Sequence, residues 1–431
     1  MPTGCGVALL RWRVVTPAHR RLSLAVAVSL ALVACSSGDE DVTPTSLPAT
    51  TTTLAPEDDP GDGRLVIGLL LPTAEPLLGT PMLEAGELAV QRINATGGVI
   101  GRPVRVTVAD EGSSTGSALT AIQTLVEAGV DAIVGPGSST ITLGTLDEVV
   151  GSGIVTCSPT ASALALDGFP DDGLFFRTIP SDSLQAQAIA EVADQTGALQ
   201  ATIVYVDDAY GRDLATAVES SMAGGAISVA GTIAFTGRDD DLSDEAQELV
   251  DSNAPVAIVL AGGDDGTRFL EALDGVDTGG IATVLVNDAF RNPTTPERIA
   301  SLDPQLRRKI IGLAPQAESN DPAAPFDPPG LFATNAYDCV NLIALGAVSA
   351  DSDDAGAIAD EISFVSSSGL ACRTFEDCVN AIDDGRQIDY DGPSGLTEIG
   401  RDGDTTRAVF DRFLFNVDGE DVFDRSITVG I

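Results

Sequence analysis

From residue 65 onward the chain alternates short apolar runs of strand length with longer stretches whose apolar residues recur at helical spacing. That alternation constrains the fold more than any other feature of its 431 residues. Residues 65–71 are continuously apolar, and Met82, Gly86, Ala89 and Ile93 then recur every three or four positions up to Asn94-Ala95-Thr96-Gly97-Gly98. Strands are predicted at 104–109, 130–134 and 154–157, separated by a helix through Ala118, Ala121, Ile122 and Leu125 and another at 142–150. Strands that are apolar throughout are buried on both faces, so the series predicts an α/β fold with parallel sheets covered by helices on both sides. A second series repeats the plan, with helices at 184–196, 213–222, 242–253 and 267–273 and strands at 202–206, 227–235, 256–260 and 281–286. A body of about 370 residues exceeds what one core serves, so two doubly wound, Rossmann-like lobes are expected. The step Arg177-Thr178-Ile179-Pro180 reads as a linker between them, with Phe175-Phe176 beside it as core. An amphipathic stretch follows at 331–349, and the tail at 396–431 has hairpin character, with turns at Asp402-Gly403 and Asp418-Gly419.

The N-terminus carries an address. Arg11, Arg13, Arg20 and Arg21 precede an apolar run at 22–34, which ends in Leu32-Val33-Ala34-Cys35. A basic region, a short apolar core and a small residue at the cut describe an export signal. Its thirteen apolar-run residues fall short of the roughly 20 that cross a bilayer. The ending resembles a bacterial lipoprotein lipobox. This implies a signal peptide at 1–34 and lipidation of Cys35, which anchors the mature chain to the extracytoplasmic face of the cell membrane. Residues 35–63 are rich in Thr, Pro, Ser and acids, with little to bury, and read as a disordered tether.

Charge and chemistry narrow the function. Setting aside the four arginines of the signal leaves 64 acidic against 19 basic side chains, a net charge near −45. Such a surface cannot neutralise phosphates, which excludes nucleic acid as a partner. The single His, His19, lies in the signal, so the mature chain has no imidazole for nucleophile activation or the usual zinc sites. No Walker A or dinucleotide fingerprint is present, and with no imidazole in the mature chain neither an enzyme nor a cofactor is expected. The acidic stretch 239–245 lacks the loop glycine and terminal Glu of an EF-hand and reads as a solvated helix start, so no metal site is expected. In an oxidising compartment the four remaining cysteines suggest two disulfides. Cys372 and Cys378, six apart, form one pair, which leaves Cys157 to Cys339; the alternative for the latter two is buried free thiols.

Sets of short motifs occur in a fixed order: Ile67-Gly68-Leu69-Leu70-Leu71-Pro72, then 89–103, then Ile133-Val134-Gly135-Pro136, Ser158-Pro159-Thr160-Ala161-Ser162 and Asp208-Ala209-Tyr210-Gly211. In this order the chain resembles the leucine/isoleucine/valine-binding family of solute-binding lipoproteins, the type I periplasmic receptors of ABC importers. The resemblance implies lobe I at 64–179 plus 313–390 and lobe II at 180–312 plus 391–431, joined by a three-segment hinge. Crossovers would lie at 178–181 and near Leu313 and Asp391. Ligands of such sheets bind beyond the carboxyl ends of strands, at helix N-termini. Both 135–140 and 158–162 occupy such places, where N–H groups and hydroxyls suit a carboxylate.

By the same resemblance, Ser139, Thr160 and Ser162, with neighbouring Ser138 and Ala161, fall where the family holds a ligand's carboxylate. Tyr210 matches a second-lobe contact, Asp288 the acid that takes the ligand's ammonium, and Asp264 lies in the remaining cleft loop. Leu78 stands where the family often places an aromatic, so the side-chain preference does not carry over. The resemblance implies a monomeric receptor for a small amino-acid-like solute, an amino acid or a related amide or acid, with ABC permease subunits as partners. The main alternative is a lipoprotein of this fold that senses its ligand and signals to a partner instead of importing it. A lipoprotein hydrolase and a purely structural surface lipoprotein are further alternatives.

Overall fold

The computed structural model describes residues 61–237, 241–291, 295–316, 330–395 and 398–430. The signal at 1–34, Cys35 and the tether up to residue 60 lie outside the described residues.

The first lobe is built from β1 (Val66–Leu71), α1 (Gly79–Ala95), β2 (Arg105–Asp110), α2 (Thr115–Glu127), β3 (Ala132–Val134), α3 (Ser139–Gly151), β4 (Val155–Ser158) and β5 (Phe175–Arg177). Its strands pair in parallel in the order β2-β1-β3-β4-β5. The second lobe follows with α4 (Asp182–Gln195), β6 (Gln200–Val206), α5 (Ala209–Met222), β7 (Ser228–Phe235), α6 (Ser243–Asp251), β8 (Val256–Leu260), α7 (Gly263–Asp274), β9 (Thr283–Val286), α8 (Pro296–Ser301), α9 (Pro304–Arg307) and β10 (Ile310–Pro315). Five of its strands repeat the first plan in the order β7-β6-β8-β9-β10, all parallel. A strand order that reverses beside the first strand opens a crevice at the carboxyl ends, and each lobe has one.

The chain leaves the second sheet after Pro315 at the end of β10, and the described residues resume at Gly330. There follow α10 (Ala333–Ala350), α11 (Ala355–Val365), β11 (Leu370–Cys372), α12 (Phe375–Asp383) and β12 (Ile388–Tyr390). These pack with β1 and α1 into the core of the first lobe, where Val340, Ile343 and Ile362 are fully buried with Leu69 and Ile93. Finally β13 (Arg407–Phe415) and β14 (Asp421–Gly430) form a hairpin that extends the second sheet antiparallel beside β10. Its turn holds Asp418-Gly419, where the N–H of Gly419 reaches the carbonyl of Asn416 at 3.2 Å. The Asp402-Gly403 turn lies before the hairpin, closed by the N–H of Gly400 on Asp404 O at 2.7 Å.

Two disulfides are formed. Cys157 on β4 bonds Cys339 on α10, and Cys372 bonds Cys378 across the turn between β11 and α12. The linker reading of Arg177 needs correction: Phe175, Phe176 and Arg177 form the edge strand β5, paired to Thr156, Cys157 and Ser158. Three residues are too few to show a period, and the strand is recognisable only once β4 lies beside it.

Candidate functional site

The two Ser-rich loops of the first lobe leave the carboxyl ends of neighbouring strands and are stitched to each other. After β3 the chain turns through Gly135, whose φ is +116° and where an added Cβ would lie 1.9 Å from Leu70 O, so only glycine fits. Ser138 caps α3, its Oγ accepting the N–H of Ile141 at 3.4 Å, as an N-cap hydroxyl does. Ser139, the first residue of α3, accepts the N–H of Ala163 at 3.3 Å on its Oγ. Ser158 Oγ donates to Pro136 O at 2.6 Å and accepts the N–H of Ala161 at 3.0 Å. Thr160 Oγ1 donates to the carbonyl of Gly137. Ser138, Ser139, Thr160, Ala161 and Ser162 therefore share one rim.

Two charged residues that the sequence reading did not place at the site support this rim. Glu111, just past β2 and 2 % exposed, accepts the N–H of Gly137 at 2.5 Å and of Ser138 at 3.3 Å. Burial pushes its carboxyl up to about 7, against those two hydrogen bonds, with Asp110 and Glu75 adding repulsion. Arg177, fully buried, forms ion pairs with Asp167 and with Asp404 and donates from Nη1 to the carbonyls of Ala161 and Ala163, each at 3.2 Å. Asp167 in turn accepts the hydroxyl of Ser181, the N-cap of α4, at 2.7 Å. One guanidinium thus ties the rim to the first crossover and to the loop that precedes β13.

The second lobe contributes acceptors. Asp208 caps α5 through the N–H of Gly211 at 2.8 Å and so places Tyr210 on the first turn. The Tyr210 hydroxyl accepts from Asn287 Nδ2 at 2.9 Å and donates to Asp288 Oδ1 at 3.5 Å. Asn287, fully buried after β9, is held by the N–H of Ala261 at 3.1 Å. Gln185 on α4 donates to Asp288 from its side chain. Asp182, the first residue of α4, crosses to the first lobe: its N–H reaches Ser162 O at 2.9 Å, and its carboxylate accepts the Ser162 hydroxyl.

Burial, then repulsion from Asp288, pushes Asp182 up to about 8. Burial also raises Asp288, which is half-buried, and raises the Tyr210 phenol well above its ordinary value. Such shifts concentrate at functional sites. The structure brings Tyr210 and Asp288 together and, through Asp182, joins them to Ser162. Asp264 is not brought there; it is exposed on the first turn of α7, and its carbonyl accepts from Arg298.

A cavity of about 690 Å³ opens between the first-lobe loops, lined by Glu75, Leu78, Glu111, Ser138, Thr160 and Phe332 among others. Phe332, at the N-terminus of α10, also lines a smaller cavity that contains Asp288. Glu111, Asp182, Gln185, Asn287 and Phe332 were not found from sequence. Only Asp182 carried a signal, as an acid directly after Pro180-Ser181 at the start of a predicted helix.

Residues 65–301 match the family described as "Periplasmic binding protein". Among curated relatives, the Leu/Ile/Val-binding protein BraC3 of Rhizobium johnstonii is 27% identical over 308 residues, 68% of this chain and 82% of the relative. The leucine-, isoleucine-, valine-, threonine- and alanine-binding protein of Pseudomonas aeruginosa is 25% identical over 309 residues, 68% and 78% of the two chains. Among solved structures, the branched-chain amino acid transporter substrate-binding protein LivJ of Streptococcus pneumoniae, in complex with isoleucine, superposes with a TM-score of 0.63 at 20% identity. That match covers 85% of this chain and all of LivJ. A branched-chain amino acid ABC transporter periplasmic ligand-binding protein of Burkholderia xenovorans gives 0.67 at 14% identity, covering 84% and 95%. At these identities the solved structures speak to the fold alone. With the family matched over residues 65–301 and two lobes of identical strand plan facing across a cleft, the chain belongs to the periplasmic binding protein family and is Leu/Ile/Val-binding-protein-like.

Proposed function

We propose that the chain is an extracytoplasmic solute receptor of an ABC importer, lipid-anchored through Cys35, that closes its two lobes around a small amino-acid-like ligand. The observation that carries this reading is the acceptor cluster of Asp182, Gln185, Tyr210 and Asp288 facing the hydroxyl-bearing rim of Ser138, Ser139, Thr160 and Ser162. An ammonium held by Asp288 forms a charge-assisted hydrogen bond. A solute bridging both lobes makes all of its contacts only in the closed form, so differential affinity shifts the population. The names of the relatives support amino acids as the class and ABC import as the process.

Thermal denaturation of the exported chain with amino acids, amides, urea, short peptides and organic acids tests the reading. A ligand that binds only the folded state raises Tm by mass action. The expected result is a rise with amine-bearing solutes that Ser139→Ala reduces and Asp288→Asn reduces further, by about tenfold to a hundredfold in affinity. No rise with any solute would overturn the receptor reading.

A further inference from the structure

We infer that the solute carries two cationic groups, one taken by Asp288 and Gln185 at the second lobe and the other by Glu111 and Glu75 in the first-lobe cavity. This rests on the receptor reading and names the substrate class within it.

The first pole is marked by an unmet acceptor as well as by acids. Gln185 is 2 % exposed, and its Oε1 has no hydrogen-bond partner among the described residues, although the same amide donates to Asp288. A buried acceptor left unpaired beside a carboxylate costs free energy that a donor recovers. An ammonium brings three donors and no acceptor, which suits Gln185 and Asp288 together.

The second pole lies in the larger cavity. Glu111 forms its floor and the exposed Glu75 its rim, and Asp110 and Glu75 both raise the cost of ionising Glu111. None of the described residues lining this cavity is basic. Burial raises the Glu111 carboxyl, and a cation beside it would favour its charged form. The N–H groups of Gly137 and Ser138 use two of the lone-pair sites of that carboxylate and leave others for a ligand. A branched aliphatic side chain placed against Glu111 would offer its buried carboxylate no donor. An ammonium or guanidinium would form a charge-assisted pair there.

The two poles belong to one ligand. Phe332 lines both the cavity that holds Glu111 and the one that holds Asp288, with Leu78 beside it in the first; Arg291 also lines the second, its guanidinium paired with Asp411 and Asp421. Apolar walls between two acidic ends suit the methylene stem of a flexible dication. The net charge of −41 also raises the local concentration of cations.

Isothermal titration of the exported chain with lysine, arginine, putrescine and agmatine against leucine, isoleucine and norleucine tests this. Norleucine has the stem of lysine without its terminal ammonium. The tightest dication is expected to bind at least about tenfold more tightly than norleucine, the worth of one charge-assisted hydrogen bond. Comparison of lysine with putrescine tells whether a carboxylate also contributes. Glu75→Gln at the exposed rim should weaken the dication about tenfold, and Glu111→Gln should weaken the dication about tenfold more than it weakens norleucine. Leucine or norleucine binding as tightly as every dication would overturn the inference and leave the receptor reading standing. Failure of all seven solutes to bind would overturn the inference, and silence of the wider solute series in thermal denaturation would overturn the receptor reading as well.

Discussion

At the scale of single residues, Arg177 carries the most consequence. It is fully buried on the edge strand β5, and burial works against its charge. The pairs with Asp404 and Asp167 nonetheless hold its guanidinium above the ordinary value. Only a planar fork of five donors can serve two carboxylates and two carbonyls at once. Its removal leaves Asp167 and Asp404 without their cation and the carbonyls of Ala161 and Ala163 without their donor. Breaking a buried pair in this way costs about 3–5 kcal/mol. Arg177→Met should therefore lower the urea midpoint of unfolding by that equivalent, whereas Arg177→Lys should recover part of it by keeping charge without the fork. Because the same carbonyls flank Ser162, both variants should also weaken ligand binding more than their loss of stability accounts for. An unchanged midpoint in Arg177→Met would show the network to be energetically idle.

At the scale of elements, the bond between Cys157 on β4 and Cys339 on α10 joins segments 182 residues apart, and the bond between Cys372 and Cys378 closes a separation of six. On the chain-entropy account the first adds about 4–5 kcal/mol and the second roughly 2. Cys157→Ser with Cys339→Ser should therefore cost more, in chemical denaturation, than Cys372→Ser with Cys378→Ser; equal losses would contradict the loop-length argument. The strands of the two lobes were unequally legible. β1 and β8 are apolar throughout, and their sequence runs at 65–71 and 256–260 lie within one residue of the observed Val66–Leu71 and Val256–Leu260. β5, β11 and β12 have three residues each, too short for any periodicity, and α11 and α12 lie in a stretch to which no element was assigned. The site divides in the same way. Ser138, Ser139 and Thr160 were legible because glycine, proline and hydroxyl residues cluster where a strand hands over to a helix. Glu111 was not, because it is one acid among 64 until the fold buries it beside a loop from another strand, and Asp182 offered only its place at a helix start until it meets Ser162 of the other lobe.

At the scale of the whole molecule, charge couples stability to pH through two routes that salt separates. Buried Glu111, Asp182 and Asp338 sit at about 7, 8 and 7, each raised first by burial. The folded state therefore holds protons that the unfolded chain has already lost. Their contribution is fully present below the ordinary carboxylate range and is lost as pH rises through 7 to 8. The net charge of −41 works in the same direction, since self-repulsion grows as acids ionise. Surface repulsion is screened by salt, whereas a buried acid is screened far less. Asp338 isolates the second route. It is fully buried on α10, accepts the Tyr390 hydroxyl and the N–H of Ser394 at 2.7 Å each, and an added Cβ at Gly392 would lie 2.0 Å from its Oδ1. It therefore holds the segment that follows β12 on its way to the second lobe. The unfolding free energy should be greater at pH 5 than at pH 8.5 at every salt concentration. Raising salt should flatten the slope without removing it. Asp338→Asn keeps the shape of the site and cannot ionise, so it should remove on the order of 3 kcal/mol of the remaining difference. A slope abolished entirely by salt, and unaltered in Asp338→Asn, would assign the pH dependence to the surface charge alone.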